Sequence, residues 1–146
     1  MRVVLASDHG GVSLRKEIAA LLEEMQIDYK DIGCDCEDSV DYPDYGIPAA
    51  ELVASGEYDK GILICGTGIG MSIAANKVKG IRAALVHDVF SAKATREHND
   101  SNMITMGERV IGPGLAIEIV KTWLGTDFQG GRHANRIGKV TEYENK

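Results

Sequence analysis

The stretch Gly61-Ile62-Leu63-Ile64-Cys65-Gly66-Thr67-Gly68-Ile69-Gly70-Met71-Ser72-Ile73-Ala74-Ala75-Asn76-Lys77 changes character twice. Residues 61–65 form a continuous apolar run after the first glycine, the pattern of a strand buried on both faces. Glycines then alternate through 66–70, and residues 71–77 suit a helix. A buried strand that turns through glycines into a helix is one step of a strand–helix–strand architecture.

The same cycle recurs on either side. Upstream, residues 3–6 predict a strand, Asp8-His9-Gly10-Gly11 a loop, and Leu14, Ile18, Leu21, Leu22 and Met25 fall at helical spacing. Residues 28–32 can form a second strand. A polar loop carrying Pro43 leads into a helix near 45–55, closed by Gly56. Downstream, strands are expected at 81–86 and 103–106, and helices at 89–97 and from Pro113, a favoured first-turn residue, to Gly125. Strands alternating with helices predict an α/β fold: a single-domain, Rossmann-like, three-layer αβα sandwich over residues 1–146, built on a five-stranded, mainly parallel sheet.

Composition limits the function classes. The 146 residues are 44% hydrophobic and 26% charged, an ordinary globular balance. Sixteen Lys and Arg against 22 Asp and Glu give a net charge of −6, which repels nucleic acid and anionic membranes. No apolar run is long enough for a membrane span, and the opening segment breaks at Ser7-Asp8 before a signal-peptide core forms, so a cytoplasmic protein is expected. Cys34-Asp35-Cys36 lacks the spacing of a structural zinc site, and the three cysteines are expected as free thiols, with no metal bound.

Parallel sheets place ligands at the carboxyl ends of their strands, so the loops after strands come first. Four carry chemistry: Asp8 to Gly11, Cys65 to Gly70, His87-Asp88, and Gly107-Glu108-Arg109. Gly66, Gly68 and Gly70 lie between a strand and a helix start, where backbone N–H groups can cradle an anion. They match neither the dinucleotide fingerprint nor a P-loop, and a glycine turn needed only for packing remains open. Cys65 precedes that turn, where a helix N-terminus can favour thiolate, giving a base or a nucleophile; a buried core thiol is the other reading. His98 ends its helix, where the dipole favours imidazolium, and serves either as a proton donor or as a surface helix end. Arg132 and Arg136 share a face if that stretch is helical, and either grip a phosphate or decorate a solvated surface. Asp8-His9 is a polar handle for hydroxyls and phosphate, or a capping loop. A thiol base, an anion cradle, an imidazolium and an arginine pair suffice to move a proton between adjacent carbons of a phosphorylated sugar through a cis-enediolate, with no cofactor.

The residues Ser7-Asp8-His9-Gly10-Gly11, the block 65–77, His98-Asn99, Gly107-Glu108-Arg109 and Gly131-Arg132-His133-Ala134-Asn135-Arg136 closely resemble the B type of ribose-5-phosphate isomerase. The resemblance runs from the first strand to the last helix. It implies an aldose–ketose isomerase acting on D-ribose 5-phosphate and D-ribulose 5-phosphate in the pentose phosphate pathway. Cys65 is then the base, Gly66, Thr67, Gly68, Ile69 and Gly70 the anion hole, and His98, with Thr67, the group that opens the furanose ring. Asp8, His9, Tyr42 and Asn99 contact the sugar, while Arg109, Arg132 and Arg136 surround the phosphate together with His9. Some members use a glutamate beyond the glycine loop as base; here Met71-Ser72 follows the loop and the cysteine branch is indicated. The family also includes galactose-6-phosphate and allose-6-phosphate isomerases, so six-carbon sugars are alternatives, as is a sugar-phosphate sensor that would need no base. The resemblance further implies a homodimer, or a dimer of dimers, with shared active sites: Cys65 and its loop from one chain, His98, Asn99 and Arg109 from the other.

Overall fold

A computed structural model describes all residues, 1–146. The elements run β1 (Arg2–Ser7), a single 3-10 turn (His9–Gly11), α1 (Val12–Glu24), β2 (Asp28–Asp31), α2 (Pro43–Ala54), β3 (Lys60–Cys65) and α3 (Ile69–Asn76). They continue as β4 (Ala83–Leu85), α4 (Val89–Asn99), β5 (Met103–Gly107), α5 (Pro113–Leu124) and α6 (Arg132–Glu144). The sheet order is β2-β1-β3-β5-β4 and every pairing is parallel, so the expected mainly parallel sheet is wholly so.

Alternation along the central strands fills two apolar layers. Val3 and Leu5, Ile62 and Ile64, and Ile104 and Met106 face α1, α4 and α5, where Ile18, Leu22, Val120 and Trp123 complete the layer. Val4 and Ala6, and Leu63 and Cys65, face α2 and α3 across Ala49, Ala50, Met71 and Ala75. Both sides of β3 are therefore dry, as its unbroken apolar run requires. The helix after β1 covers one face and the helix after β3 the other. Adjacent strands whose connections part in this way leave a crevice at their carboxyl ends.

Boundaries shift where context overrides local pattern. The helix expected at 71–77 begins at Ile69, and the one expected at 45–55 begins two residues earlier at Pro43, whose fixed φ suits a first turn. The strand expected at 81–86 is reduced to Ala83–Leu85, because this edge strand has only β5 to pair with. Cys34 and Cys36 are not the free thiols expected; the structure pairs them as a disulfide, and Cys65 alone is free. The buried Arg15 explains how they meet. Its guanidinium bonds the Cys34 carbonyl and Asp35, both at 2.5 Å, and occupies the space a side chain at Gly33 would need. That grip folds the segment back so that the two Cα atoms are 5.3 Å apart, within bridging range.

Candidate active site

The crevice between β1 and β3 is assembled from glycines that allow three loops to touch. Gly10 lies against Gly66, since a Cβ on Gly10 would stand 3.1 Å from the Gly66 nitrogen. Asp8, itself buried, caps the turn after β1 by accepting the Gly10 N–H at 2.8 Å. His9 accepts the Val40 N–H on Nδ1 at 3.1 Å, which leaves Nε2 to carry the ring's proton when it is neutral. At the end of β5, Glu108 N–H donates to the Cys65 carbonyl and Arg109 N–H to the Gly66 carbonyl, at 3.0 and 3.1 Å. These bonds draw the Arg109 side chain over Gly66, where a Cβ would be 3.0 Å from a guanidinium nitrogen. On the opposite side the Tyr42 ring rests on Gly70, 2.8 Å from where its Cβ would be.

Cys65 ends β3 with its thiol against the loop, and its Sγ accepts the Gly68 N–H at 3.1 Å. Gly68 takes φ +78°, and a side chain there would collide with the Met106 backbone and Leu85. Thr67 is exposed, its hydroxyl accepting the Ile69 N–H at 3.2 Å. The N–H groups of Gly66, Thr67 and Gly70 bond to nothing else in the chain. They open at the N-terminus of α3, whose partial positive charge adds to theirs. Chemically this is a thiol beside a preorganised anion cradle with a guanidinium above it.

His98, Asn99, Arg132 and Arg136 form a second group elsewhere. A helix after a parallel strand returns to the amino edge of the sheet, and α4 does so: Arg82, just before β4, donates to the carbonyls of Asn99 and Asp100. Gly61 N–H, at the start of β3, donates to the Asn102 carbonyl. Cys65 is four residues further along the same strand, roughly 13 Å at about 3.3 Å per residue. Around His98, a cleft of about 300 Å³ is lined by Asn99, His133, Arg136, Ile137 and Val140. The helix on which the arginine spacing depends is formed, as α6, with both arginines exposed. One chain thus brings together Asp8, His9, Tyr42, the 65–70 loop and Arg109, and holds His98, Asn99, Arg132 and Arg136 apart from them. Arg109 corrects its expected allocation: it shares a chain and a cluster with Cys65, because its backbone is stitched to the Cys65–Gly66 carbonyls.

Three residues near these clusters had no assigned part. His87 accepts the Gly107 N–H on Nε2 at 3.0 Å and so ties the loop after β4 to the end of β5. Burial pushes its imidazole below the usual value, against the smaller opposing pull of Asp88. Glu108 accepts the Leu14 N–H at 2.5 Å, capping α1 from across the sheet. His133 is buried and stacks on His98, ring centroids 4.4 Å apart and planes 15° from parallel. The sequence quoted His87 and Glu108 within loaded loops and His133 between two arginines, but their bonds join residues too distant for spacing to reveal.

The model for the Ribose/Galactose Isomerase family matches residues 3–140. A Bacillus subtilis protein provisionally named a sugar phosphate isomerase, YwlF, is 70% identical over 147 residues, covering 100% of this chain and 99% of its own. The structure resembles ribose-5-phosphate isomerase B of Clostridium thermocellum with a TM-score of 0.97 and 54% identity, over 99% of this chain and 98% of the other. It also resembles ribose-5-phosphate isomerase B of Mycoplasma genitalium, solved with bound ribulose-5-phosphate, with a TM-score of 0.96 and 40% identity over 99% and 97% of the two chains. With the family model matching residues 3–140 and these relatives aligned over nearly the whole length, the chain belongs to the ribose/galactose isomerase family and is an isomerase.

Proposed function

We propose that this isomerase interconverts D-ribose 5-phosphate and D-ribulose 5-phosphate through a cis-enediolate, as one unit spanning residues 1–146 and acting in the cytoplasm. The observation that carries the reading is the Cys65 sulfur seated within the Gly66–Gly70 cradle. A thiolate there takes the proton from the carbon beside the carbonyl and returns it to the neighbouring carbon. The free N–H groups of Gly66, Thr67 and Gly70 hold the developing oxyanion, and Arg109 adds positive charge above it. Asp8, His9 and Tyr42 line the same crevice and contact the sugar. The protein with ribulose-5-phosphate bound is a relative over the full length, which favours a five-carbon substrate over galactose or allose 6-phosphate.

His98, with Thr67, opens the furanose ring, and Arg132 and Arg136 with His9 hold the phosphate. These groups lie at the two ends of the sheet in one chain, so a second copy completes each site. Ile69, Ile73, Leu85, Val89 and Phe90, the last 82% exposed, form apolar surface beside the Cys65 loop of the kind a homodimer covers. The deciding experiment compares kcat/KM for ribose 5-phosphate, allose 6-phosphate and galactose 6-phosphate on the purified chain. Preference for ribose 5-phosphate is expected, and a preference for either hexose phosphate would overturn the substrate assignment.

A further inference from the structure

His98 stands on the last turn of α4 with its ring exposed to the cleft, and no hydrogen bond within the chain fixes that ring. An imidazole has two rotatable torsions, the second of them broad, so a proton donor in this position needs something to set its plane. The flat contact with His133 is what the structure offers. We propose that His133 is a positioning residue for His98: buried on the inner side of α6, its ring is the platform that orients the His98 imidazole toward the sugar ring oxygen. The inference rests on the ring-opening part assigned to His98.

Two further observations support it. His133 is the one buried residue of α6, and its backbone N–H is tied to the Gly130 carbonyl at 3.1 Å, so its ring is enclosed by packing while the His98 ring is exposed. Gln129 N–H donates to the Glu97 carbonyl at 3.1 Å, which holds the approach to α6 against the same turn of α4. The charged groups facing His133 are His98 and Glu97 from α4 and Arg132 and Arg136 from α6. Burial is the largest influence on its imidazole and pushes it below the usual value; His98 and both arginines push the same way, with Glu97 opposed. A neutral ring is the one that a protonated neighbour tolerates at stacking distance. The His133 Nε2 is buried without a hydrogen-bond partner in the chain, so packing alone holds the platform.

The test separates ring opening from the enediolate step. Ribulose 5-phosphate is open-chain, because the oxygen on its C5 is esterified, so exchange of its C1 hydrogen with solvent deuterium needs the base and cradle but no ring opener. His133→Leu keeps apolar bulk under α6 and removes the flat ring; His133→Phe keeps the ring. With ribose 5-phosphate the leucine variant is expected to lose about tenfold or more in kcat with KM within about threefold of wild type. Its deuterium exchange is expected to persist, and the phenylalanine variant to recover most of the turnover. Turnover and exchange falling together, a change in KM alone, or full turnover in the leucine variant would each overturn the proposal. If the leucine variant does not fold, His133→Met repeats the comparison with the same outcomes. His98→Ala distinguishes the two levels: unchanged turnover of ribose 5-phosphate there sinks the ring-opening assignment itself. A slow His98→Ala beside a fast His133→Leu sinks only the positioning.

Discussion

A single methyl group at Gly68 is enough to spoil the cradle. An alanine there would be held at φ +78°, and its Cβ would stand 2.8 Å from the Met106 backbone, which cannot move without disturbing β5. Gly80 is the matched control, with φ +91° and nothing within 4 Å, so alanine there meets the torsional cost alone. Gly68→Ala is therefore expected to lose more than the ~1–2 kcal/mol of a left-handed residue, and to lower Tm by more than Gly80→Ala, as read by thermal unfolding. It should also abolish turnover, which Gly80→Ala should spare. Cys65→Ala leaves the cradle standing and removes the base, so turnover should fall to background while substrate still protects the protein in thermal melts. Wild-type turnover in that variant would dismiss Cys65 as the base. These positions were legible because a strand end followed by glycines marks both the thiol and the N–H groups. Arg15 was not legible, because its grip on Ser7, Asp31 and Asp35 joins segments that spacing does not connect.

Each element owes its place to a few contacts, and α6 owes it to fewest. His133 is its one buried residue, while Arg132 and Arg136 lie on exposed surface. Arg132→Ala and Arg136→Ala should each leave Tm nearly unchanged and raise KM for ribose 5-phosphate roughly ten- to a hundredfold, the size of one lost charge-assisted hydrogen bond. Unchanged KM in both would make the pair surface decoration. The loop joining β4 to α4 depends instead on His87, whose neutral Nε2 accepts the Gly107 N–H. Its folded-state pKa is depressed, mainly by burial, below the unfolded value of about 6.5. The unfolded chain therefore binds this proton first as pH falls, and the stability His87 lends is present above that value and lost below it. Between pH 7.5 and 5, Tm should fall less steeply in His87→Gln than in wild type; equal slopes would remove His87 from the account. Most elements were readable from periodicity, because strands buried on both faces and amphipathic helices write distinct patterns. The reduced β4 was not, since Ile81 and Val86 are as buried as strand residues although both lie outside Ala83–Leu85, Val86 keeping only its N–H bond to the Thr105 carbonyl.

At the scale of the molecule, the distribution of site residues is what a single sequence hides most completely. A linear motif records that Cys65 and His98 are both present, whereas the parallel topology sends α4 back to the amino edge and parts them by the length of β3. The sequence reading divided the site between two chains on resemblance, and it put Arg109 with His98; the bonds from Glu108 and Arg109 to the carbonyls of Cys65 and Gly66 put Arg109 with Cys65 instead. Mixing of inactive variants tests both parts of that division. In a dimer formed from one Cys65→Ala chain and one His98→Ala chain, one site carries both lesions and the other carries neither. Random pairing of equal amounts makes half the dimers mixed, each with one working site in two, so activity should return to about one quarter of wild type. Cys65→Ala mixed with Arg109→Ala should behave differently. Both residues of that pair come from the same chain, so every site in the mixed dimer holds one lesion and no activity returns. Recovery in the second mixture would return Arg109 to the side of His98, and failure of the first despite demonstrated subunit exchange would mean that Cys65 and His98 do not meet across a dimer at all.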